Sequence, residues 1–362
     1  MDFLSEMEFR TLTKRIAVRL GVPEQMTEDV TVGSEDIQAL ENAPFDRAGY
    51  SALGTMSEVY TWIEKIIDRG YVSVDTETTS LKEMQAKLVG ISLCVEPGEA
   101  CYIPLAHKAG ASDDLFITDR LAEGQLPLVD VFKALKPILE DPAILKIGQN
   151  MKYDAKIFAR NGIRVHPIDD TMLISYALHA GLHGHGMDAL SERYLNHSPI
   201  PIKKLLGSGK SAITFDRVSI EDAIPYAAED ADITLRLWQL LKPRLHQTRV
   251  TRVYENLERP LVPVLAEMEM TGIKVDRDTL CRMSNMFAQK MAGLESEIYE
   301  LAGESFNVGS PKQLGEVMFD KLGYEGGKKG KTGAYATGAD VLEDLATVHN
   351  LTKRVLDWRQ LS

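Results

Sequence analysis

The sequence of 362 residues has few cysteines and no long apolar segment. Its three cysteines, Cys94, Cys101 and Cys281, are odd in number and lack metal-ligand spacing, which excludes a disulfide scaffold and a zinc module. No run approaches the roughly 18 apolar residues that a membrane helix needs. The first 20 residues place charges among their apolar positions, so they do not form a signal peptide. We therefore expect a cytoplasmic protein.

The sequence also lacks an excess of positive charge. It contains 41 Lys and Arg against 53 Asp and Glu, a net charge of −12. A protein that surrounds duplex DNA through bulk positive charge has the opposite balance. A nucleic-acid partner would therefore need local basic patches, or metal ions that neutralise carboxylates where phosphate lies. The 44% hydrophobic and 26% charged residues are ordinary for globular proteins and exclude disorder over most of the chain.

The chain is long enough for two or three domains, and its patterns change twice. Residues 1–45 predict a short amphipathic helix and an acidic linker. Residues 46–243 alternate between short β-type runs and helical periodicity, which predicts a mixed α/β sheet flanked by helices. Residues 244–362 are almost purely helical in pattern, apart from a Gly- and Lys-rich stretch at 323–338.

The pair Asp75 and Glu77 forms the one Asp-x-Glu in the sequence. It lies in a predicted strand, where positions i and i+2 project to the same face and the valines at 72 and 74 face the core. Two adjacent carboxylates repel each other, and a divalent cation is the natural compensation. The alternative is a solvated strand end whose acidic side chains have no functional role.

Two further acidic positions lie on predicted helices. Tyr226 and Asp230 are four residues apart and share one helix face. The alternative is an exposed acidic face, because Glu229 and Asp232 are close by. Asp154 follows a predicted strand and starts another helix, where it could simply stabilise the helix N-terminus.

Taken together, these four carboxylates and one tyrosine resemble the constellation of DEDD exonucleases that carry a tyrosine. The segments VDTETTSL, GQNMKYDAKIF and YAAEDADITLRLW resemble the exonuclease motifs of the bacterial DNA polymerase I family, which is family A. The later segments ERPLVPVLAEMEMTGIKVD, FNVGSPKQLGEVMFDKLG and TGADVLEDLA resemble the start of its polymerase domain, the thumb. The resemblance covers nearly the whole chain.

The resemblance implies a ribonuclease H-like exonuclease domain at 46–243, followed by a partial thumb at 244–362. It also implies two Mg²⁺ or Mn²⁺ ions, which hard oxygen ligands suit. Asp75, Glu77 and Asp230 would hold the first ion. Asp75 and Asp154 would serve the second, with Asp154 acting through water. The catalytic roles fall to Tyr226 and Glu77, which would orient the attacking water.

The same resemblance implies contacts with single-stranded or frayed DNA in the exonuclease cleft. Leu81 would be an apolar wedge beside the terminal base, and Asn150 and Tyr153 would contact the 3′-terminal nucleotides. Three lysines at the thumb tip would contact duplex phosphates: Lys328, Lys329 and Lys331.

The activity implied is proofreading, which is hydrolysis of the 3′-terminal phosphodiester with release of nucleoside monophosphates, in a bacterial cytoplasm and in association with the nucleoid. No segment resembles the palm and fingers of the family, so we expect no polymerase activity from this chain. Pro225, immediately before Tyr226, removes an amide donor and predicts a kink or a restart of the helix.

Two alternatives stay open at this point. One is a catalytically silent module that binds DNA or spaces the polymerase domains, which would bind DNA without releasing nucleotides. The other is an RNA 3′ exonuclease similar to ribonuclease D, which would degrade RNA in preference to DNA. The thumb-like C-terminal segment favours the DNA enzyme.

Overall fold

The structure is a computed structural model, and it describes residues 45–109, 120–330 and 333–362. The described residues fall into two compact units, one that ends at Gly272 and one that spans Ile273–Ser362. The N-terminal helix predicted for residues 1–20 lies outside the described residues. Residues 244–272, predicted to begin the C-terminal domain, belong to the first compact unit. Compactness alone does not define a functional domain, so the predicted boundaries stay predictions.

A mixed sheet forms the centre of the first unit, as the sequence predicts. The described residues contain six strands: Ser51–Ala52 (β1), Tyr71–Thr78 (β2), Leu88–Glu96 (β3), Glu99–Pro104 (β4), Leu145–Gly148 (β5) and Ile168–Asp170 (β6). Their order is β1-β4-β3-β2-β5-β6. Strands β2, β3 and β4 pair antiparallel, whereas β1 with β4, β2 with β5, and β5 with β6 pair parallel. Strand β2 therefore lies inside the sheet.

Helices cover this sheet. In the first unit the α-helices of four or more residues are Met56–Arg69 (α1), Leu128–Leu139 (α2), Met151–Arg160 (α3), Thr171–His179 (α4), Met187–Tyr194 (α5), Ile202–Leu206 (α6), Ile220–Leu241 (α7), Arg244–Gln247 (α8) and Arg259–Thr271 (α9). Helix α1 shows why such segments fold locally. Thr55 and Glu58 form a capping box at its start, and Gly70 ends it with a φ of 71°. The α/β architecture predicted from the sequence is confirmed.

Helix α7 packs across strands β2, β3 and β4. The Ser219 side chain accepts a hydrogen bond from the Asp222 amide and starts the helix. Buried alanines at 227, 228 and 231 keep the contact surface small, so the helix lies close to the sheet. Pro225 lies inside this helix, which continues without interruption to Leu241. The helix restart that Pro225 predicted is therefore absent.

The second unit is mostly helical, as predicted for the C-terminal part. Its helices are Arg277–Ala302 (α10), Pro311–Gly315 (α11), Ala339–Ala346 (α12) and Asn350–Arg359 (α13). They share a core that includes Ile298, Leu314 and Val355. None of the helices in the described part of the chain is both long and apolar enough to cross a membrane.

Candidate active site

Strand β2 presents two carboxylates on one face of the sheet. Asp75 is partly buried and Glu77 is 7% exposed, while Val72 and Val74 alternate with them and lie in the core. Because β2 is paired on both sides, by β3 and β5, these carboxylates lie within the sheet. The alternative of a solvated strand end does not describe Glu77.

Helix α7 brings a third carboxylate to this face. Asp230 is 5% exposed, and carboxylate oxygens of Asp75, Glu77 and Asp230 lie within 4.8 Å of one another. In the part of the chain that the structure describes, this is the one group of three or more acidic, histidine or cysteine side chains close enough to hold a metal ion. Residues separated by more than 150 positions thus form one cluster.

Asp154 is the neighbour of this cluster and not one of its three members. It lies in the first turns of α3, is 2% exposed, and accepts a hydrogen bond from the Thr76 hydroxyl. The charge of Asp154 raises the pKa of Glu77, and the charge of Asp75 raises the pKa of Asp154. Asp154 therefore interacts electrostatically with the cluster. Because its side chain is buried, its role is not limited to stabilising the N-terminus of α3.

The four carboxylates have raised pKa values. Burial raises the pKa of Asp75 to about 6. Burial and neighbouring negative charge raise the pKa values of Glu77, Asp154 and Asp230 well above their ordinary range. Such crowding is unfavourable unless a cation compensates for it.

Glu77 supplies a second sign that these residues fit a metal. Its Oε1 atom is buried, and no hydrogen-bond donor among the described residues contacts it. A buried carboxylate oxygen without a partner loses its hydration without compensation. A hard divalent cation with oxygen ligands, such as Mg²⁺ or Mn²⁺, supplies that compensation.

Tyr226 lies one helical turn before Asp230 on α7, so the two side chains share a face of the helix. Its ring packs near Phe215, with 6.0 Å between ring centroids. Burial, followed by the charge of Asp230, raises the pKa of the tyrosine far above its ordinary value. The phenol is therefore neutral at physiological pH and can act as a hydrogen-bond donor inside the acidic cluster.

The acidic residues beside Asp230 have structural partners. Glu229 is fully buried and accepts two hydrogen bonds from Arg47, at 3.0 and 2.6 Å. Asp232 is also fully buried and accepts a hydrogen bond of 2.8 Å from the Tyr50 hydroxyl. The alternative of an exposed acidic helix face is therefore wrong. These partners are 182 positions away in the sequence, so no local pattern indicated them.

The side chains predicted to contact the terminal nucleotides lie on two segments beside the cluster. Leu81 is 92% exposed on the loop that follows β2. Asn150 is exposed at the start of α3 and adopts the left-handed conformation, with a φ of 59°. Tyr153 donates a hydrogen bond of 2.6 Å to the Ser80 carbonyl, next to Leu81.

Asp170 contributes to the geometry of the site and was missed by the sequence analysis. Its carboxylate accepts hydrogen bonds from the amides of Asn150 (3.1 Å) and Met151 (2.9 Å), at the start of α3. It also accepts from Met172 (2.9 Å) at the start of α4. An Asp before a helix indicates an N-cap, which could have predicted the second role. The hydrogen bonds to the start of α3, in contrast, depend on strands β5 and β6 lying side by side.

The second unit carries two of the three predicted phosphate-binding lysines. Lys328 and Lys329 are both exposed, and the Lys329 ammonium lies 4.3 Å from the centroid of the Tyr335 ring. Lys331 lies outside the described residues.

Comparison with known proteins identifies the family. The sequence matches the family described as 3′-5′ exonuclease over residues 50–246 and that described as DNA polymerase family A over residues 277–362. It is 50% identical over 335 residues to DNA polymerase I of Rhizobium leguminosarum, covering 90% of this chain and 33% of that protein. It is 42% identical over 323 residues to DNA polymerase I of Pseudomonas aeruginosa, covering 88% of this chain and 33% of that protein.

A solved structure shares the fold. The POL domain of Pol1 from M. smegmatis, in complex with DNA primer-template and dNTP, superposes with a TM-score of 0.65 at 24% identity. The match covers 86% of this chain and 48% of that one. The chain spans about a third of the length of the curated relatives it matches. The predicted resemblance is confirmed: the chain belongs to the 3′-5′ exonuclease family of DNA polymerase I, followed by a segment of DNA polymerase family A.

Proposed function

We propose that the chain is the proofreading portion of a DNA polymerase I, a metal-dependent 3′-5′ exonuclease of the DEDD class with a tyrosine. The observation that carries the proposal is the buried cluster of Asp75, Glu77 and Asp230, whose oxygens lie within 4.8 Å of one another. Its reaction is hydrolysis of the 3′-terminal phosphodiester of DNA, with release of a nucleoside 5′-monophosphate.

Asp75, Glu77 and Asp230 would hold one divalent ion, and Asp75 and Asp154 a second. When bound, such a pair of ions lowers the pKa of water and neutralises charge on the leaving 3′ oxygen. Mg²⁺ and Mn²⁺ both suit ligands that are all carboxylate oxygens.

The protein's own side chains then orient the reactants. The buried Oε1 of Glu77 is available to accept a hydrogen bond from the attacking water. The neutral Tyr226 hydroxyl lies beside Asp230 and can donate a hydrogen bond to the same water. Both groups are held by rigid elements, β2 and α7, which keeps the attacking atom aligned.

The proposed DNA contacts fall to residues of both units. Leu81, Asn150 and Tyr153 would contact the terminal nucleotides of a single-stranded or frayed 3′ end. Lys328 and Lys329 would contact duplex phosphates, as would Lys331. A mismatched end unpairs more often, so fraying supplies much of the selectivity for errors.

The test follows the shortening of a 5′-labelled single-stranded DNA oligomer. We expect a ladder of single-nucleotide steps with Mg²⁺, and none with EDTA or with Asp75→Ala. Glu221→Gln changes an exposed acid on the same helix as Asp230 and should keep the ladder. DNA that is bound but not shortened would identify a silent module instead. Faster degradation of a matched RNA strand would identify an RNA exonuclease.

A further inference from the structure

The loop at 79–87, between β2 and β3, carries the exposed Leu81 and is held by one face of α3. The contacting side chains lie at helical positions i, i+3 and i+7: Tyr153, Lys156 and Arg160. The same helix carries Asp154. The position of Leu81 relative to the carboxylate cluster therefore depends on these three side chains.

Two of these contacts go to the loop backbone. Tyr153 donates to the Ser80 carbonyl at 2.6 Å. Arg160 donates to the carbonyls of Glu83 and Ala86, at 2.5 and 2.7 Å. These two contacts depend on the path of the loop backbone and are compatible with many loop sequences, because every residue has a carbonyl group.

The third contact depends on side-chain identity and on burial. The Lys156 side chain is 2% exposed, and its ammonium lies 2.5 Å from Glu83 Oε1. The same ammonium pairs with Glu269 on α9. The two carboxylates outweigh the desolvation of the ammonium, and together they raise the pKa of Lys156. A buried cation with two anionic partners is confined, so Glu83 and its loop are confined with it.

We propose that Lys156 is a positioning residue that fixes the Leu81 loop against the metal-binding helix, and that it thereby sets how well the site opens a paired 3′ end. The inference rests on the proposed function, because it gives Leu81 the place beside the terminal base. A paired end needs a rigid apolar group that replaces stacking as the base leaves the duplex. A single-stranded end has no partner base to leave, so its hydrolysis does not need this apolar group.

Lys156→Met tests the proposal, because methionine keeps an apolar stem and removes the charge. The matched control is Lys152→Met, since Lys152 lies on the same helix and pairs with Glu269 at 2.5 Å. Lys152 makes no hydrogen bond or ion pair to the loop among the contacts found between described residues. We would measure kcat/KM with Mg²⁺ on a single-stranded oligomer and on a duplex with a paired 3′ end.

In Lys156→Met we expect the ratio of kcat/KM on the duplex to kcat/KM on the single strand to fall about tenfold. A loss of this size is within the range that misplacing an active-site group produces. Single-strand kcat/KM should stay within about twofold, and Lys152→Met should keep the wild-type ratio. Amide hydrogen exchange of the loop at 79–87, measured without metal, should be faster in Lys156→Met and unchanged in Lys152→Met.

Glu83→Gln removes the same ion pair by changing the loop residue, whose side chain is 29% exposed. If Lys156→Met does not fold, the same measurements on Glu83→Gln test the proposal. An unchanged ratio in a folded variant would overturn the proposal, as would an equal loss on both substrates. If the wild type shortens no single strand, the proposed function fails, and the hydrogen-exchange comparison still shows whether Lys156 holds the loop.

Discussion

At the scale of single residues, the site is shaped by negative charge that the protein buries without neutralising it. Glu77 is the extreme case, because one of its oxygens is buried without a donor and three other carboxylates raise its pKa. A site of this kind is unfavourable for the metal-free fold and favourable for cation binding. The residues that we propose to serve the reaction should therefore reduce the stability of the metal-free protein.

Glu77→Gln separates these effects, because glutamine keeps the shape and removes one charge. In EDTA we expect the free energy of unfolding to rise by about 1 kcal/mol, within the range that removing an unfavourable charge commonly gives, because burial and neighbouring carboxylates disfavour the charged form of Glu77. That gain corresponds to a rise of roughly 2–4 °C in Tm. In Mn²⁺ the wild type should gain stability and the variant should gain less. Thermal unfolding followed by circular dichroism measures both.

Glu221→Gln is the control for this comparison, because it removes an exposed charge from α7 away from the cluster. It should leave Tm unchanged in EDTA and keep the full response to Mn²⁺. A Glu77→Gln protein that is less stable than the wild type in EDTA would contradict our account of the buried charge.

At the scale of secondary structure, helix α7 tolerates a proline one residue before Tyr226, for which we propose a catalytic role. Pro225 cannot donate a hydrogen bond to the carbonyl four residues earlier, yet the helix continues and keeps Tyr226 on the same face as Asp230. Packing of α7 on the sheet compensates for the lost bond. The proline should therefore affect stability more than catalysis.

Pro225→Ala should raise the free energy of unfolding by about 1–3 kcal/mol, because it restores an amide donor within a helix. The kcat on single-stranded DNA should stay within about twofold, since Tyr226 is already in place. Urea unfolding and single-nucleotide release measure the two effects. A large rise in kcat would mean that the proline displaces Tyr226 in the working enzyme.

A buried histidine links strand β4 to the segment before α7. His107 Nδ1 lies 2.9 Å from the Val218 carbonyl, so this nitrogen is the donor, and Nε2 accepts from the Tyr102 hydroxyl at 2.7 Å. Burial lowers the pKa of His107 below its ordinary value of 6.5. The folded protein therefore keeps the ring neutral where the unfolded chain takes up a proton.

It follows that the contribution of His107 to stability is complete above pH 6.5 and decreases as the pH falls below it. We expect the urea midpoint to fall between about pH 7.5 and about pH 5.5, and to fall less in His107→Gln. Carboxylates titrate in both proteins, so the comparison isolates the histidine. An identical fall in both proteins would show that His107 is charged in the fold.

At the scale of the whole molecule, a chain with a net charge of −12 needs local positive charge, from basic side chains or from metal ions, wherever it binds DNA. Lys328 and Lys329 provide such a place in the second unit. Each lysine that neutralises a duplex phosphate contributes about 0.9 to the slope of log K against log salt concentration. The number of contacts can therefore be read from binding at several salt concentrations.

The double variant Lys328→Ala, Lys329→Ala should weaken duplex binding at low salt and reduce that slope by roughly 1.8, two contacts at about 0.9 each. The exposed lysines Lys290 and Lys353 of the same unit provide the matched double variant, which should keep the wild-type slope. Fluorescence anisotropy with a labelled duplex measures both. Equal losses in the two variants would indicate diffuse attraction and no specific contact.

Local patterns determined the elements and the chemistry of this protein. The change from β-type runs to helical periodicity predicted an α/β part followed by a mostly helical part, and both are observed. The spacings i, i+2 on a strand and i, i+4 on a helix predicted which side chains share a face. Strand β6 was missed because its three residues are too few to show an alternation. The roles of the site residues stay predictions.

The resemblance already singled out Asp230, but only the tertiary structure shows what its acidic neighbours contact. Glu229, Asp230 and Asp232 are near neighbours in sequence, yet one joins the carboxylate cluster and two bind residues 182 positions away. Likewise, nothing near Lys156 in the sequence indicates that it pairs with Glu83 and Glu269. Spacing along the chain encodes a shared face over a few residues, whereas contacts across 70 or more positions arise from how the sheet and its helices pack.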